Sequence, residues 1–560
     1  MSAGGSIAEA APCKVLLICP RFNGQSFWNF DAVCAVVGAK APAPPLGLIT
    51  VAALLPPHWE CRLVNRNTEE LAESDLDWAD MVMTGGMLPQ RFDLLTVIDL
   101  AQRRGKPVVI GGPDATSSPE AYEHADFRVL GEAEEIIGEF IAAWSAGIRQ
   151  GTFVAEKFTI DVTKTPIPRY DLLKRDQYVY LGVQFARGCP FTCEFCDIIE
   201  LYGRVPRVKT VEQILAELDC VYRLGHRGHV DFVDDNFIGN KKAVKALLPH
   251  LIAWQKARDY PFEFATEASI NLADDDALLA LMREANFSVV FVGIESPDPL
   301  TLISMKKKQN TRRSLADSVH KIYAAGMFVH AGFIIGFDSE KQSVAEAMVE
   351  CIEASAIPVC MLGLLYALPN TQLTRRLERE GRLLPLTFTG ELAELGAGDQ
   401  CISGLNFLTL RARRDILQDY RTALDRLYNL DAFFGRLRGV TRMLRRPLRR
   451  SPFRGPQLGG IAFRDLQQFT RLMWFIVRRQ PKAVRPLWSA FWEALRRNPG
   501  SINAVFTLAA FYLHLGPFSR YVIDVIDQRI AALDSGEDKI ENFMESRAVT
   551  VQLAESAAGN

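Results

Sequence analysis

The 560-residue chain has no excess of charge of either sign: 64 Lys and Arg stand against 66 Asp and Glu, a formal net charge of -2. That balance removes the global electrostatic pull of a general nucleic-acid binder. Regular cysteine spacing is also missing, so the 11 cysteines do not read as a disulfide framework. Met1–Pro12 (MSAGGSIAEAAP) lacks a basic start followed by an apolar run; no secretory signal is expected, and a reducing cytoplasm is the expected compartment. The longest late apolar stretch, INAVFTLAAFYLHLGPF (Ile502–Phe518), is shorter than the roughly 20 residues a spanning helix needs, and it contains His514. No transmembrane anchor is expected, although contact with a membrane surface stays open. No internal repeat or low-complexity segment is evident. What remains, at 48% apolar and 23% charged residues, is a folded protein long enough for several domains.

From Cys13 to about Ile148, short apolar runs alternate with helical patterns: KVLLICP, WECRLVN, ADMVMTGG, KPVVIGGP and ADFRVLGE. Runs of that length, mostly ending in turn residues, read as buried parallel strands joined by crossover helices. The expectation is a doubly wound α/β domain over residues 1–150. Ligands in such sheets sit at the carboxyl ends of the strands. There the sequence places Gly85, Gly86, Gly111, Gly112, Gly131 and Glu132 as candidates, although paired glycines serve tight turns equally well.

Residues 151–172, including KTPIPRYD, lose periodicity and read as a Pro-punctuated linker. A second series follows over 173–387: YLGVQFARG, HVDFVDDN, FEFATEAS, SVVFVGIES, VHAGFIIGFD and VCMLGLLYALP, with helical stretches between them. Such a series predicts a β/α barrel, complete or partial. Polar residues gather where its strands run out: Asp234, Asp235 and Asn236, then Glu267, Glu295 with Ser296, and Tyr366. From 388 to 560 the strand signals stop and a helical extension is expected. Between Gly435 and Asn498, sixteen Lys and Arg face only Asp465 and Glu493, with Phe463, Phe469, Trp474, Phe475, Trp488, Phe491 and Trp492 interleaved. That composition suits an amphipathic cap on the barrel, an anionic membrane surface, or nucleic acid.

The densest signal is FARGCPFTCEFCDIIELYGR, which sets Cys189, Cys193 and Cys196 at C-x3-C-x2-C. A structural zinc site wants four closed ligands, and no second C-x2-C exists in the chain. A disulfide would leave an odd thiol in a reducing compartment. An iron-sulfur cluster on three thiolates explains the missing fourth by leaving one iron open to a small molecule. A metal site of another kind, or three inert thiols, stays as the alternative.

This triad, after the first strand of a β/α series and with Phe195 before its last cysteine, resembles the radical S-adenosylmethionine (SAM) superfamily. The resemblance implies a [4Fe-4S] cluster on Cys189, Cys193 and Cys196, SAM on the open iron, and Phe195 beside cluster and adenine. It makes Asp234 and Asp235 candidates for the SAM amino group, Glu267, Glu295 and Ser296 candidates for its ribose or carboxylate, and GFIIGF (Gly332–Phe337) the adenine-proximal segment. The preceding α/β domain, with APPLGLITVAALLP, the TGG and GGP turns and VLGEAE, is similar to the cobalamin-binding domain of class B members. That likeness covers roughly Cys13–Asn370. It implies cobalamin at Gly85, Gly86, Gly112, Gly131 and Glu132, yet the D-x-H-x-x-G motif is absent. His58 and His124 are the only histidines before the barrel, so cobalt is expected without a protein imidazole.

CDIIELYGRVPRVKT and VDFVDDNFIGNKKAVKALLPHLIAWQK are similar to the subgroup that holds the hopanoid C-2 methylase. The resemblance implies a C-methyltransferase. One SAM would methylate cobalamin, a second would be cleaved to a 5'-deoxyadenosyl radical, and methyl would pass to an unactivated carbon of a hydrophobic metabolite, a hopanoid-type lipid among them. The alternative is a cobalamin-binding radical SAM enzyme that cyclises or rearranges its substrate without methyl transfer. Expected partners are the small-molecule or lipid substrate and an electron donor such as flavodoxin or ferredoxin. Peripheral contact with the inner membrane face is open, and no nucleic acid is expected.

Overall fold

The computed structural model describes residues 11–385, 400–445 and 458–537, the side chains of 458–465 excepted. Met1–Ala10, the barrel boundary expected at 387–388 and the side chains of Phe463 and Asp465 lie outside what is described. Six strands, β1 (Lys14–Cys19), β2 (Glu60–Asn65), β3 (Met81–Gly85), β4 (Val108–Gly111), β5 (Phe127–Leu130) and β6 (Gly151–Val154), form a sheet in the order β2-β1-β3-β4-β5-β6. All neighbours run parallel. Helices cover both faces and separate two apolar cores, one around Leu17, Phe127 and Phe140, the other around Leu16, Val82 and Ile98. The doubly wound reading therefore holds. β6 lies inside the segment read as linker; with half of GTFV exposed at a sheet edge, it carries no apolar run to announce it.

A second sheet takes β7 (Leu181–Val183), β10 (Gly228–Phe232), β11 (Phe262–Glu267), β12 (Phe287–Glu295), β13 (Phe328–Ile335) and β14 (Val359–Leu364), side by side in chain order. Every pair is parallel, and β7 and β14 end the sheet without pairing to each other, so the barrel is partial. Two short strands, β8 (Ala186–Arg187) and β9 (Arg207–Val208), form a separate antiparallel pair.

Both free edges are covered from outside the barrel. On the β7 side, Val179 and Tyr180 donate their N–H groups to the carbonyls of Ala41 and Pro42 at 3.1 Å each. On the β14 side, the Tyr420 hydroxyl donates to Leu362 O at 2.9 Å, and Cys360 N–H donates to the Tyr428 hydroxyl at 3.3 Å. Capping backbone groups in this way removes an edge that would otherwise invite pairing. Between the edges, the helix Asp31–Val37 meets the helix Ile502–Ser535, where Phe30 and Phe511 stand 5.2 Å apart.

The apolar run starting at Ile502 is thus the first half of a 34-residue helix, longer than its apolar stretch foretold. Length and hydropathy would let this helix cross a bilayer, but Leu508, Tyr512, Leu515, Val522 and Ile526 are buried against the rest of the protein. The rest of the carboxy-terminal region is also helical in the described residues: Arg413–Leu427, Leu430–Met443, Leu458–Arg479 and Val484–Arg497.

Barrel strands alternate between a packed outer face and an inner one. Phe232 belongs to the outer face, with Phe237 at 5.2 Å, Phe264 at 5.3 Å and Phe287 at 5.6 Å. Truncating such a ring removes its transfer energy and leaves a cavity. Phe232→Ala is expected to destabilise the protein by about 3–5 kcal/mol, read as a lowered urea midpoint; a loss under about 1 kcal/mol would contradict this packing.

Candidate active site

Pairing of Ala186 with Val208 and of Arg187 with Arg207 pinches residues 188–206 into a loop just beyond β7. Gly188 opens it with φ 95°, and a Cβ there would stand 2.9 Å from Gly203 O and 3.0 Å from Tyr202 O. Only glycine fits. Its N–H donates to Asp235 Oδ2 at 2.8 Å, while Asp234 accepts from the N–H groups of Phe185 at 2.7 Å and Ala186 at 2.9 Å. Both oxygens of Asp234 are therefore engaged by the backbone, which ties the start of the loop to the end of β10. On the far side of the loop, Arg376 Nε donates to Glu194 Oε1 at 2.6 Å, and Glu194 N–H donates to Met305 O at 3.0 Å.

Cys193 is buried, and Cys189 and Cys196 are half-buried. Burial pushes all three thiols upward. Among the described residues, no three His, Cys, Asp or Glu side chains converge closely enough to seat one metal ion. Three thiols gathered on one loop make a donor set whose chemistry fits a [4Fe-4S] cluster with one iron left open. Asn236 Nδ2 approaches Cys189 Sγ at 3.7 Å.

Lys307 escaped sequence reading. It lies buried beside the cysteines, donates to Glu295 Oε1, and stands 5.8 Å from the Phe195 ring centroid. Burial works against its charge, but Glu295 and the thiols of Cys193 and Cys196 outweigh it and hold the ammonium above the usual lysine value. Lysine runs normally coat a surface, and nothing in MKKKQN marks the middle lysine as interior. Glu295 itself sits in the left-handed region at φ 69°, where β12 and β13 lose register. Such a conformation in a non-glycine residue costs about 1–3 kcal/mol and clusters at functional sites. Ser296, also buried, accepts from Asp298 N–H at 3.2 Å. Phe195 meets Phe337 edge-on at 6.0 Å, which brings the end of GFIIGF to the cysteine loop.

The inner face of the barrel carries His229 and Asp231 on β10, Glu263 and Glu267 on β11, Phe291 on β12 and His330 on β13, alternating with fully packed neighbours. His229 and His330 come from strands that are not neighbours, yet each lies within the other's electrostatic reach across the lumen. Burial pushes both imidazoles down to about 4. Burial likewise pushes Asp231 up to about 6, and Glu267 up to about 8 with help from Asp231 and Asp235. Glu267 is nonetheless accessible to water. It stands at the carboxyl end of β11 on the strand's inner face, where the barrel lumen opens. Trp28 closes over Phe291 at 5.6 Å and Phe511 over His330 at 5.2 Å, so the chamber's aromatic wall is built by the two ends of the chain.

The carboxyl rims of the two sheets face one another. Glu132, after β5, accepts from Arg187 at 3.0 Å and from Arg207 at 2.8 Å, and Glu134 pairs with Arg187 at 2.6 Å. Asn370 Nδ2 donates to Ser117 O at 2.7 Å, and Tyr366 lies within the electrostatic reach of Arg91 and Asp114. Glu132 is thus taken up by the interface. Gly85 and Gly111 are demanded by strand packing, since a Cβ would come within 2.8 Å of Gly111 O or 2.9 Å of Val129 O respectively; Gly86, Gly112 and Gly131 line the same rim. His58 precedes β2 and His124 precedes β5, both at the amino side, away from that rim. The crevice where strand order reverses, between β1 and β3, fits a corrinoid carried without a protein imidazole.

Fold and loop together define a radical SAM enzyme with a corrinoid domain in front. The B12 binding domain family matches residues 32–141, the radical SAM superfamily matches 183–352, and a domain of unknown function matches 371–528. The chain is 43% identical over 532 residues to an uncharacterized methyltransferase of Synechocystis sp., covering 94% of this chain and 96% of that one. It is 40% identical over 376 residues to the hopanoid C-2 methylase of Rhodopseudomonas palustris, 66% of this chain and 71% of that one. Among solved structures, the cobalamin-dependent SAM radical enzyme OxsB with aqua-cobalamin bound aligns with TM-score 0.55 at 14% identity, over 94% of this chain and 81% of its own. The radical SAM methyltransferase TsrM from Kitasatospora setae aligns with TM-score 0.52 at 16% identity, over 66% and 78%. The chain belongs to the cobalamin-dependent radical SAM methyltransferase family, and its cofactors are a [4Fe-4S] cluster, SAM and cobalamin.

Gly188→Val is expected to lose most of its iron while keeping native far-UV circular dichroism; full iron retention would show that the loop tolerates a side chain there. Glu267 supplies a pH signature. An unfolded glutamate ionises near 4.5 and this folded one near 8, so folding becomes less favourable as pH rises between those values. Glu267→Gln removes that penalty: its Tm should exceed wild type above about pH 8 and match it near about pH 5. Coincident melting curves at both values would mean a solvated carboxyl.

Proposed function

We propose that this enzyme transfers methyl from SAM to an unactivated carbon of a polycyclic, hopanoid-type lipid, using electrons from a flavodoxin- or ferredoxin-type donor in the cytoplasm. The observation that carries the reading is the inner face of the barrel, where Trp28 meets Phe291 and Phe511 meets His330, the strand partner of Phe291, giving an apolar molecule an aromatic surface to pack on. His229 and His330, pushed down to about 4 by burial, present neutral imidazoles there and add no charge to be desolvated. The 40% identity to the hopanoid C-2 methylase of Rhodopseudomonas palustris points the same way.

When bound, the cluster with SAM supplies a hydrogen-abstracting radical, and cobalamin supplies a transferable methyl group. The chain's own part is placement and exclusion. Cys189, Cys193 and Cys196 would hold the cluster, with Lys307 and Glu295 beside it for the charged ends of SAM and Phe195 against its base. Trp28, Phe291 and Phe511 would grip the flat face of the substrate. The helices Asp31–Val37 and Ile502–Ser535 close the side of the partial barrel and keep water from the reacting carbon. Arg187, through Glu132 and Glu134, fixes the corrinoid rim against the cysteine loop.

Anaerobically reconstituted enzyme, given methyl-deuterated SAM and hopanoid lipids, is expected to form S-adenosylhomocysteine and 5'-deoxyadenosine in equal amounts alongside a deuteromethylated lipid. Formation of 5'-deoxyadenosine without S-adenosylhomocysteine would replace methyl transfer by cyclisation or rearrangement.

A further inference from the structure

The helices Leu458–Arg479 and Val484–Arg497 are joined by the short turn Pro481–Ala483 and form a hairpin on the outside of the protein. Its inner side is ordinary core: Leu472, Ile476, Leu487, Ala490 and Ala494 are buried, and Phe469 and Phe491 pack on Phe506 at 5.2 and 5.8 Å. Its outer side breaks the usual pattern. Leu466 is 59% exposed, Trp474 55%, Val477 56%, Trp492 51% and Leu495 38%. Leu466, Trp474 and Val477 share one face at helical spacing, as do Trp492 and Leu495 on the second helix. Large apolar side chains clustered on a surface mark a site that meets something apolar.

The charges around the patch say what that is. Among the described side chains of 466–497, Arg478, Arg479, Lys482, Arg485, Arg496 and Arg497 are exposed. Glu493 is the only acid among them, and Arg442 and Arg438 from the neighbouring helix already pair with it. Arg478 lies over Trp474 at 5.6 Å and Arg479 over Phe475 at 4.8 Å, so cations and rings alternate along the same stretch. A protein partner of stated shape is not demanded by this arrangement. An anionic bilayer is: it takes indole rings at the headgroup boundary, aliphatic chains just below, and guanidinium groups among the phosphates.

We propose that this hairpin docks the enzyme on anionic lipid bilayers, lying in the plane of the interface with Trp474, Val477 and Trp492 inserted and Arg478 and Arg485 on phosphate. The proposal concerns a surface remote from the cysteine loop, and it stands or falls independently of which substrate the chamber takes.

The test is co-sedimentation of the full-length holoenzyme with phosphatidylcholine vesicles containing about one third phosphatidylglycerol, against pure phosphatidylcholine. Binding is expected to the anionic vesicles and to weaken with salt. The pair Trp474→Ser with Trp492→Ser, and separately Arg478→Glu with Arg485→Glu, should each weaken it at least about tenfold while cluster content stays at wild type. Absence of vesicle binding overturns the proposal, and so does binding that neither double variant reduces. Two other occupants are told apart by the same variants. A concentration-dependent dimer abolished by the Trp pair, or binding to a single-stranded RNA abolished by the Arg pair, each without vesicle binding, would assign the face to a second copy or to nucleic acid.

Discussion

How Arg187 is held decides how the two halves of the enzyme meet. Its guanidinium is largely enclosed two residues before Cys189, and its partners, Glu132 and Glu134, follow a strand of the other sheet. Burial opposes ionisation of Glu134, yet the charge and hydrogen bond of Arg187 hold it below the usual carboxylate range. Removing one partner from such a buried set costs about 3–5 kcal/mol, whereas exchanging the whole set for apolar residues is often neutral. Net stability therefore does not explain the network, and geometry does. The planar fork of Arg187 donates to two carboxylates at fixed angles, with Arg207 bracing Glu132 from the other side. A reaction that passes a group between two cofactors needs its atoms within about 3–3.5 Å. An interface allowed to slide by an ångström would lose it.

The second constraint is the open barrel. Six strands in chain order leave β7 and β14 as bare edges, and the sequence supplies their cover from opposite ends of the chain. Ala41 and Pro42 take one edge, Tyr420 and Tyr428 the other. The two covers then meet through Phe30, Phe511 and His514, with His514 Nε2 at 3.2 Å from Phe27 O. Closing the barrel and walling the chamber are in this way one structural act. It also explains why the long apolar helix Ile502–Ser535 is buried within the protein, packed on Asp31–Val37 and Arg413–Leu427.

Sheet type, the two α/β series and the cysteine loop were legible because each rests on local pattern: apolar runs of strand length, turn residues at their ends, and three thiols within eight residues. What was hidden depends on tertiary partners. Asp234 and Asp235 announce a polar rim, but only the fold shows that Asp234 accepts from the N–H groups of Phe185 and Ala186. Glu132 stood out beside Gly131 as a ligand candidate because its two arginines, more than fifty residues away, were not visible from VLGEAE. Lys307 was concealed by its neighbours, since a run of lysines looks the same whether or not its middle member turns inward. β6 was lost for the opposite reason, being too short and too exposed to carry an apolar signature.

A single helix connects the chamber to the outer hairpin. Phe506 receives Phe469 and Phe491 from the hairpin, and five residues on, Phe511 rests against His330 of the barrel lumen. At 1.5 Å per residue, these contacts are separated by only about 7–8 Å along the helix axis. An apolar substrate dissolved in a bilayer has little presence in water, so an enzyme acting on it gains by resting where the substrate is. A hairpin seated on the lipid surface would leave only its own layer and the helix Ile502–Ser535 between that surface and the wall of the chamber. Ring contacts run inward from Trp492 through Phe491 to Phe506, and the same helix then delivers Phe511 to His330 at the barrel lumen.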